Sequence, residues 1–588
     1  MCGINGFTYK DQKKIKLMNN TLKHRGPDAL KYKLFSNLSF GHARLSIIDL
    51  SSAGDQPMTK FGLTIIFNGE IYNYIEIKEE LKKKGYKFTT KTDTEVILAA
   101  YDYWGKNCLN KFNGMWAFAI YNKKKEELFL SIDRFGIKPL YYHISNNELI
   151  FSSEIKPILK LGIIRKPNLK KISAYLNHGL SDYNKETFFE NIYSFDPGSY
   201  LIWNLKTSKY TIKKYYKLKN NKTKITEKKA INKTNNLLKD AIKLRFRSDV
   251  EVGCCLSGGL DSSAIVGISN KLYPNQKLKT FSAIFPNSKI NEEKYIDLVS
   301  KKFKTKKFKT NPNYKELIED LDDLIYHQEE PFGSTSIYAQ YRVMKLVSQK
   351  KIKVLLDGQG ADELFGGYHL YFNSYINQLL KDRKITEIIF SKLFWKYITF
   401  YLLSNPNRIF EQIFKRKKSN IYNLKQINIT YPKYIDDYLL FCMTTNLKSL
   451  LKWEDKNSMR FSIESRVPYL DYRLVEFAFS LPYYFKIKNF ETKHIFRKTI
   501  KNYVPKKIIE RKDKIGFATP EKDWLKTREF DTFVKKIIYS NSFVSRTIWD
   551  YKKIQKIYQK KNKQYYTNIW KIINTELWFR TFIDKNSF

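Results

Sequence analysis

The stretch "VEVGCCLSGGLDSSAIVGISNKLY", residues 250–273, constrains the fold more than any other part of the chain. An apolar run stops at Leu256-Ser257-Gly258-Gly259, and a helical pattern begins at once through Asp261 and Ser262, as expected for a strand, a tight loop and a helix N-terminus. Gly258 and Gly259 let backbone N–H groups approach an anion, the serine hydroxyls add donors, and the helix start adds positive potential. The spacing is not that of a Walker loop, which needs G-x-x-x-x-G-K-[ST]. A second apolar run, "KVLLDG", leads into "DGQGADELFGGY" from Asp357 onward. Two such strands belong in one parallel sheet, and open α/β sheets bind ligands at the carboxyl edge where both loops emerge. Asp261 and Asp362 then suit Mg²⁺, a hard cation that takes a few carboxylates plus phosphate oxygens and water. As isolated residues, either would serve equally well as a helix cap.

The 588 residues exceed what one hydrophobic core holds, so two or more domains are expected. "MWAFAIYNKKKEELFLSIDRFGIKPLYYH" reads as successive antiparallel strands, and "DTEVILAAYDYWG" as a helix closed by Gly105. Later segments alternate apolar strands with longer helices. The polar stretch "LKNNKTKITEKK" reads as the linker, giving domains at 2–210 and 226–588. A formal net charge of +48 would suit a polyanion, but the lysines are scattered and no arginine-rich block or basic-aromatic platform occurs, so a nucleic-acid partner is not expected. The most apolar region, "IIFSKLFWKYITFYLLS", is interrupted by Lys392 and Lys396 and reads as a buried or half-buried helix rather than a membrane span. The start "MCGINGFTYK" lacks an export signal, so the expected location is the cytoplasm. Cys2, Cys108, Cys254, Cys255 and Cys442 form no metal-ligand spacing, and their odd number does not suggest a disulfide framework.

Cys2 follows the initiator methionine directly. Removal of Met1 would leave a thiol and a free α-amine on one residue, and an α-amine titrates near neutrality, at roughly 7.7–8.0, so it can accept the thiol proton. A second-position cysteine is usually accidental; its companions decide the matter. "HRGPD" from His24, "ARLSIIDL" from Ala43, "FNGEIYNY" from Phe67 and "KTDTEV" from Lys91 occur in that order and together resemble the class II glutamine amidotransferases. The resemblance implies that Cys2 attacks the glutamine side-chain amide while Asn68 and the Gly69 amide hold the oxyanion. It also implies that Arg44 clamps the α-carboxylate and that Glu70 and Asp93 bind the α-ammonium. Read singly, these are an ordinary arginine, an Asn-Gly turn and a capping aspartate.

The Ser-Gly-Gly-Leu-Asp-Ser loop resembles the PP-loop of ATP pyrophosphatases. Across nearly the whole length, the motifs in this order resemble the glutamine-hydrolysing asparagine synthetases. That resemblance implies a two-domain chain of α/β and α+β class: an N-terminal Ntn-type αββα glutaminase sandwich and a C-terminal doubly wound parallel-sheet PP-loop domain with added helices. It implies ATP at Leu256, Ser257, Gly258, Gly259, Asp261, Ser262, Ala283, Asp357 and Gly358, with Mg²⁺ at Asp261 and Asp362. An acceptor and pyrophosphate region is implied at Gln359, Asp362, Glu363, Arg466 in "SIESRVPYLD" and Lys514 in "ERKDKIGFATP", Lys514 being catalytic. The implied partners are glutamine, ATP and a small carboxylic acid, with a homodimer as the assembly considered. One position departs: the family commonly carries Ser-Gly-Glu-Gly-Ala-Asp-Glu, whereas Asp357 and Gln359 stand here. Glutamine cannot act as a carboxylate base, and the family's glutamate is assigned to the ammonia-attack step. Asparagine synthesis therefore ranks first, with amidation of another carboxylate, such as a sugar acid or a secondary-metabolite precursor, close behind. An RNA-modifying PP-loop enzyme and an inactive homologue rank lower.

Overall fold

The computed structural model describes residues 2–395, 421–513 and 516–584. The first 214 residues build two six-stranded antiparallel sheets. One orders Tyr193–Ser194, Tyr141–Ser145, Glu148–Ser152, Gly3–Phe7, Ser39–Arg44 and Ala29–Leu34; the other orders Tyr210–Lys214, Ser199–Asn204, Glu127–Ile132, Gly114–Asn122, Leu63–Ile71 and Met58–Lys60. Alternation along "MWAFAIYN" explains the layering, because successive side chains of a strand point to opposite faces. Ala117, Ala119 and Tyr121 enter the core between the sheets with Ile4 and Phe40, while Trp116, Phe118 and Ile120 face outward onto Val96, Ile97 and Ala100. Those last three lie on the helix Asp93–Trp104, which Thr92 caps and Gly105 closes at φ +56. Helix Gln12–Thr21 covers the other sheet through Ile15 and Met18. The result is the expected αββα sandwich.

The second half is built on a five-stranded sheet ordered Lys306–Thr310, Lys279–Ala283, Val252–Cys255, Val354–Leu356 and Glu464–Arg466, with every pairing parallel. Helices cover both faces, which is why the two central strands, Val252–Cys255 and Val354–Leu356, read as unbroken apolar runs. Cys254 packs with Leu238, Ile265 and Leu356 on one face, and Cys255 packs with Val343, Met344 and Leu355 on the other. Burial pushes the Cys254 thiol up to about 12 and lifts Cys255 as well, so both behave as small core residues, as expected. All five cysteines are free and buried. Of the apolar stretch 388–404, residues 396–404 lie outside the described residues; in its described part Ile389, Phe390 and Trp395 are exposed, so the expected burial does not extend to them. Among the described residues no helix is long and apolar enough to cross a membrane.

A buried ionic network joins the two halves. Arg25 Nη1 lies 3.0 Å from Glu154 and 2.9 Å from Asp455, and Lys138 lies 3.4 Å from Asp455. Lys156 lies 2.7 Å from Glu154 and 3.2 Å from Glu329, which also pairs with Lys456. Desolvating so many charges is costly unless each finds a partner, so the alternation of sign fixes one register between the domains. Asp455 and Lys456 belong to the helix Asn446–Arg460, which is thereby held against the sandwich and the parallel sheet at once.

Candidate functional site

Cys2 precedes the central strand Gly3–Phe7 and is buried. Its backbone N–H donates to Asn68 Oδ1 at 3.1 Å, and its carbonyl accepts from Arg25 Nε at 3.1 Å. With Oδ1 so engaged, Asn68 Nδ2 is a buried donor without a partner beside the thiol. Buried donors are rarely left unpaired, and one held here is ready to meet charge developing on a substrate oxygen. The neighbouring backbone admits only glycine: Gly69 has φ +155, and a Cβ there would meet Met115 O at 2.1 Å. Burial pushes the Cys2 thiol up, opposed by the N-terminal charge and then by the Leu45 backbone and Arg44, so attack requires a base nearby.

The cavity beyond Cys2 is lined by Arg44, Gly69, Glu70, Asp93 and Glu464, among others. The first four were expected from the sequence. Arg44 is turned toward the wall: its guanidinium donates to Asp55 at 2.7 Å, to Ser51 O at 2.6 Å and to Asp49 O. Glu70 Oε1 is buried without a hydrogen-bond partner, and burial together with Asp93 raises its carboxyl well above the usual range. Asp93 Oδ2 accepts from Ile71 N–H at 2.9 Å, yet burial pushes its carboxyl up to about 7. Glu464 comes from the other domain. Burial pushes it upward, but Arg466 Nε at 2.6 Å, the N-terminal charge and Lys138 together outweigh this and hold it below the ordinary carboxylate range.

In the role that the resemblance implies for them, these carboxyls would make glutamine binding pH-dependent. An α-ammonium would be held by ionised Asp93, which forms as pH rises through about 7. In Cys2→Ala protein, where no turnover intervenes, the glutamine Kd should therefore fall by up to about tenfold per pH unit below that point and level off above it. Titration calorimetry between about pH 6 and 8 checks this, and Asp93→Asn should flatten the profile. A Kd independent of pH in the unsubstituted pocket would rule out ionisation of Asp93 as the determinant.

At the carboxyl edge of the parallel sheet, Ser257 and Ser262 close the expected loop. Ser262 Oγ lies 3.1 Å from both Ser257 N and Ser257 Oγ, and Gly259 caps the helix Leu260–Leu272. Gly258 has φ +75, and a Cβ there would lie 2.8 Å from Tyr295 Cβ, so the loop needs glycine for both conformation and space. Ala283 ends the neighbouring strand. Asp357 leaves the strand Val354–Leu356 with its N–H donating to Arg466 O at 2.9 Å, and Gly358 lies against Asp261.

Asp261 and Asp362 converge, as expected, but on a residue that sequence reasoning missed. Lys493 Nζ lies 2.5 and 2.7 Å from the two oxygens of Asp261 and 2.7 Å from Asp362 Oδ1. Lys493 is buried and sits at φ +57, a strained conformation for lysine. Among the described residues no cluster of three or more potential metal ligands forms. Two carboxylates nonetheless match what Mg²⁺ takes when phosphate oxygens complete its shell, and their convergence on an ammonium marks a place where positive charge is required. Glu363 is buried on the short helix Ala361–Phe365, and Gln359 is half-buried just before it. Lys514 lies outside the described residues. Arg466 requires a correction. Its guanidinium reaches Glu464, Glu70 at 3.5 Å and the carbonyls of Arg245 and Arg247, because the side chain leaves the sheet toward the sandwich; it lies behind the Cys2 cavity rather than in the pyrophosphate region.

Residues 233–580 match the family model described as asparagine synthase. The chain belongs to the asparagine synthase family. Residues 1–216 match the model of a glutamine amidotransferase domain. A relative named asparagine synthetase [glutamine-hydrolyzing] 1 from Bacillus subtilis is 32% identical over 92% of this chain and 90% of its own length. One named putative asparagine synthetase [glutamine-hydrolyzing] 2 from Methanocaldococcus jannaschii is 39% identical over 67% of this chain and 81% of its own. A protein named amidase chry2 from Gibberella zeae is 25% identical over 89% of this chain and 90% of its own. As a member of the asparagine synthase family the chain is a glutamine-dependent carbon–nitrogen ligase that performs ATP-dependent amidation. Lys493 and Glu464 escaped the sequence reading for different reasons. The lysine is one of 106 Lys and Arg residues and carries no local signal, and the glutamate reaches a pocket formed almost wholly by the other domain.

Proposed function

We propose that this chain converts aspartate to asparagine through an aspartyl-adenylate, releasing AMP and pyrophosphate, with ammonia drawn from glutamine at Cys2. One observation carries the coupling: a single strand separates the two chemistries. Glu464 of that strand lines the Cys2 cavity, and two residues later the Arg466 carbonyl accepts from Asp357 at the PP-loop edge. A carboxylate is anionic and would have to expel oxide, so adenylation supplies its leaving group. Ammonia in neutral water is mostly ammonium and is not nucleophilic, so releasing it inside the protein preserves the reagent.

In this mechanism the α-amine of Cys2, freed by loss of Met1, accepts the thiol proton, and the sulfur attacks the glutamine amide. Asn68 Nδ2 and the Gly69 amide stabilise the oxyanion. Glu70 and Asp93 orient the ammonium, and Arg44 takes the carboxylate by exchanging one of its present acceptors. At the second site Ser257, Gly258, Gly259 and Ser262 cradle the ATP phosphates, alongside Leu256, Ala283, Asp357 and Gly358. Mg²⁺, held by Asp261 and Asp362, supplies positive charge to those phosphates when bound. Lys493, and by family resemblance Lys514, neutralise charge growing on pyrophosphate. Cytoplasmic placement and a homodimer go with this reading through the resemblance alone.

The test is incubation with glutamine, ATP, Mg²⁺ and aspartate, quantifying asparagine, AMP and pyrophosphate. Equimolar asparagine and AMP are expected. Glutamate release with AMP formation only in the presence of another acid would transfer the reading to that acid, a second possibility favoured by Gln359 and by a relative named an amidase. ATP turnover stimulated by RNA, with no small acid required, would overturn both.

A further inference from the structure

We propose that Glu454 is the proton acceptor for the attacking ammonia nitrogen, the task that Gln359 cannot perform. This rests on the amidation reading above. Glu454 lies on the buried face of helix Asn446–Arg460, only 2% exposed. One oxygen, Oε1, accepts from Ser465 Oγ, and the other, Oε2, is buried with no hydrogen-bond partner. An acceptor left so in a closed interior is poised for a ligand or a proton.

Its surroundings define which. Ser465 stands on the separating strand directly beside Glu464, which lines the Cys2 cavity, and pairs in register with Leu355, two residues before Asp357. The next helix residue, Asp455, is tied to Arg25 and Lys138 of the sandwich. Glu454 is therefore fixed between the source of ammonia and the loop where the acyl-adenylate is expected. Burial and the charge of Asp357 lift its carboxyl well above the usual range, toward the proton affinity that suits a base acting on an amine. Asp357 is itself raised by burial, despite the N–H of Gly358 at 2.5 Å, so the two acids stand as an electrostatically linked pair. In the step assigned, the ammonia nitrogen bonds to the acyl carbon, and the C–O bond to AMP breaks with its electron pair leaving on the phosphate oxygen. The surplus N–H proton passes to Glu454 Oε2. Atoms and charge balance as amide, AMP and a protonated carboxyl that returns its proton to solvent.

The test compares two nucleophiles with aspartate and ATP. Hydroxylamine is unprotonated at neutral pH and reacts without much help from a base, whereas ammonia requires one. Glu454→Gln, which preserves shape, should reduce ammonia-dependent amide formation about 10²-fold while hydroxamate formation falls less than about tenfold. Glutamate release from glutamine should persist and report an intact fold. Adding Gln359→Glu to that variant should restore at least about a tenth of the lost amide formation by returning a carboxylate to the family's position. Equal loss of amide and hydroxamate, or amide formation untouched by Glu454→Gln, would overturn the assignment. Wild-type protein that forms neither product from aspartate overturns aspartate as the acceptor, a failure seen before any substitution is made and therefore distinct from failure of this assignment, which the same comparison decides with the acid that does support AMP formation.

Discussion

Cys2→Ala should lower glutamate release from glutamine by at least about 10³-fold, the scale on which loss of a nucleophile acts, while ammonia-dependent amidation and its AMP release stay within about twofold of wild type. The separation is expected because the hydrogen bonds of Cys2 run to the sandwich: Asn68 holds its N–H, Arg25 its carbonyl, and Leu45 O lies 3.9 Å from its sulfur. Removing one sulfur from a buried site leaves the ionic network through Glu154 and Asp455 intact, so the domain interface and the PP-loop edge should be undisturbed. Assays with glutamine and with ammonium chloride in parallel decide it. If ammonia-dependent activity fell as far as glutamine-dependent activity, the two sites would not be separable and the ammonia-transfer reading would be wrong. If glutamine use survived, Cys2 would not be the nucleophile, and the unpartnered Asn68 Nδ2 would need another explanation.

At both sites the sequence disclosed what local patterns encode. The amidotransferase residues are close along the chain to strands and turns with strong local patterns, so Asn68, Gly69 and Glu70 arrive together simply because Leu63–Ile71 is one strand. The PP-loop was equally plain, since a strand, two glycines and a helix start impose their own geometry. What could not be read was long-range pairing. Lys493 stands 232 residues from Asp261 along the chain, and Glu464 completes a cavity whose other walls end near residue 94. Arg466 was misplaced for a related reason. Sequence gives its strand, but the direction in which the guanidinium leaves depends on Glu464, Glu70 and the carbonyls of Arg245 and Arg247, none of which a local pattern reveals. The helix Asp93–Trp104 was legible at its C-terminal end, where Gly105 closes it, whereas at its start the sequence offered an aspartate as the cap and the structure uses Thr92.

Lys493→Met should lower ATP-dependent amidation, whether driven by glutamine or by ammonia, by about 10²–10³-fold, the usual cost of removing a preorganised charge from a developing anion. Glutamate release should persist, because no contact links Lys493 to the Cys2 cavity among the described side chains. The substitution has a second consequence that separates a charge role from simple damage. Without the ammonium, Asp261 and Asp362 face each other across a site where their side chains are only 12% and 10% exposed. Stranding buried charge costs about 3–5 kcal/mol, so the variant's Tm should fall. Mg²⁺ would supply positive charge to the same carboxylates while the ATP phosphates complete its shell, so adding Mg²⁺ with ATP should recover more of the Tm in Lys493→Met than it adds to wild type. Arginine is a poor control, since Lys493 Cε packs so close to Gly367 that a Cβ there would lie 2.3 Å from it, and a longer, planar head group would have to displace that backbone. A variant that retains AMP formation, or one whose Tm is indifferent to Mg²⁺ and ATP, would mean that the lysine only fills space between two acids and takes no part in neutralising the departing pyrophosphate.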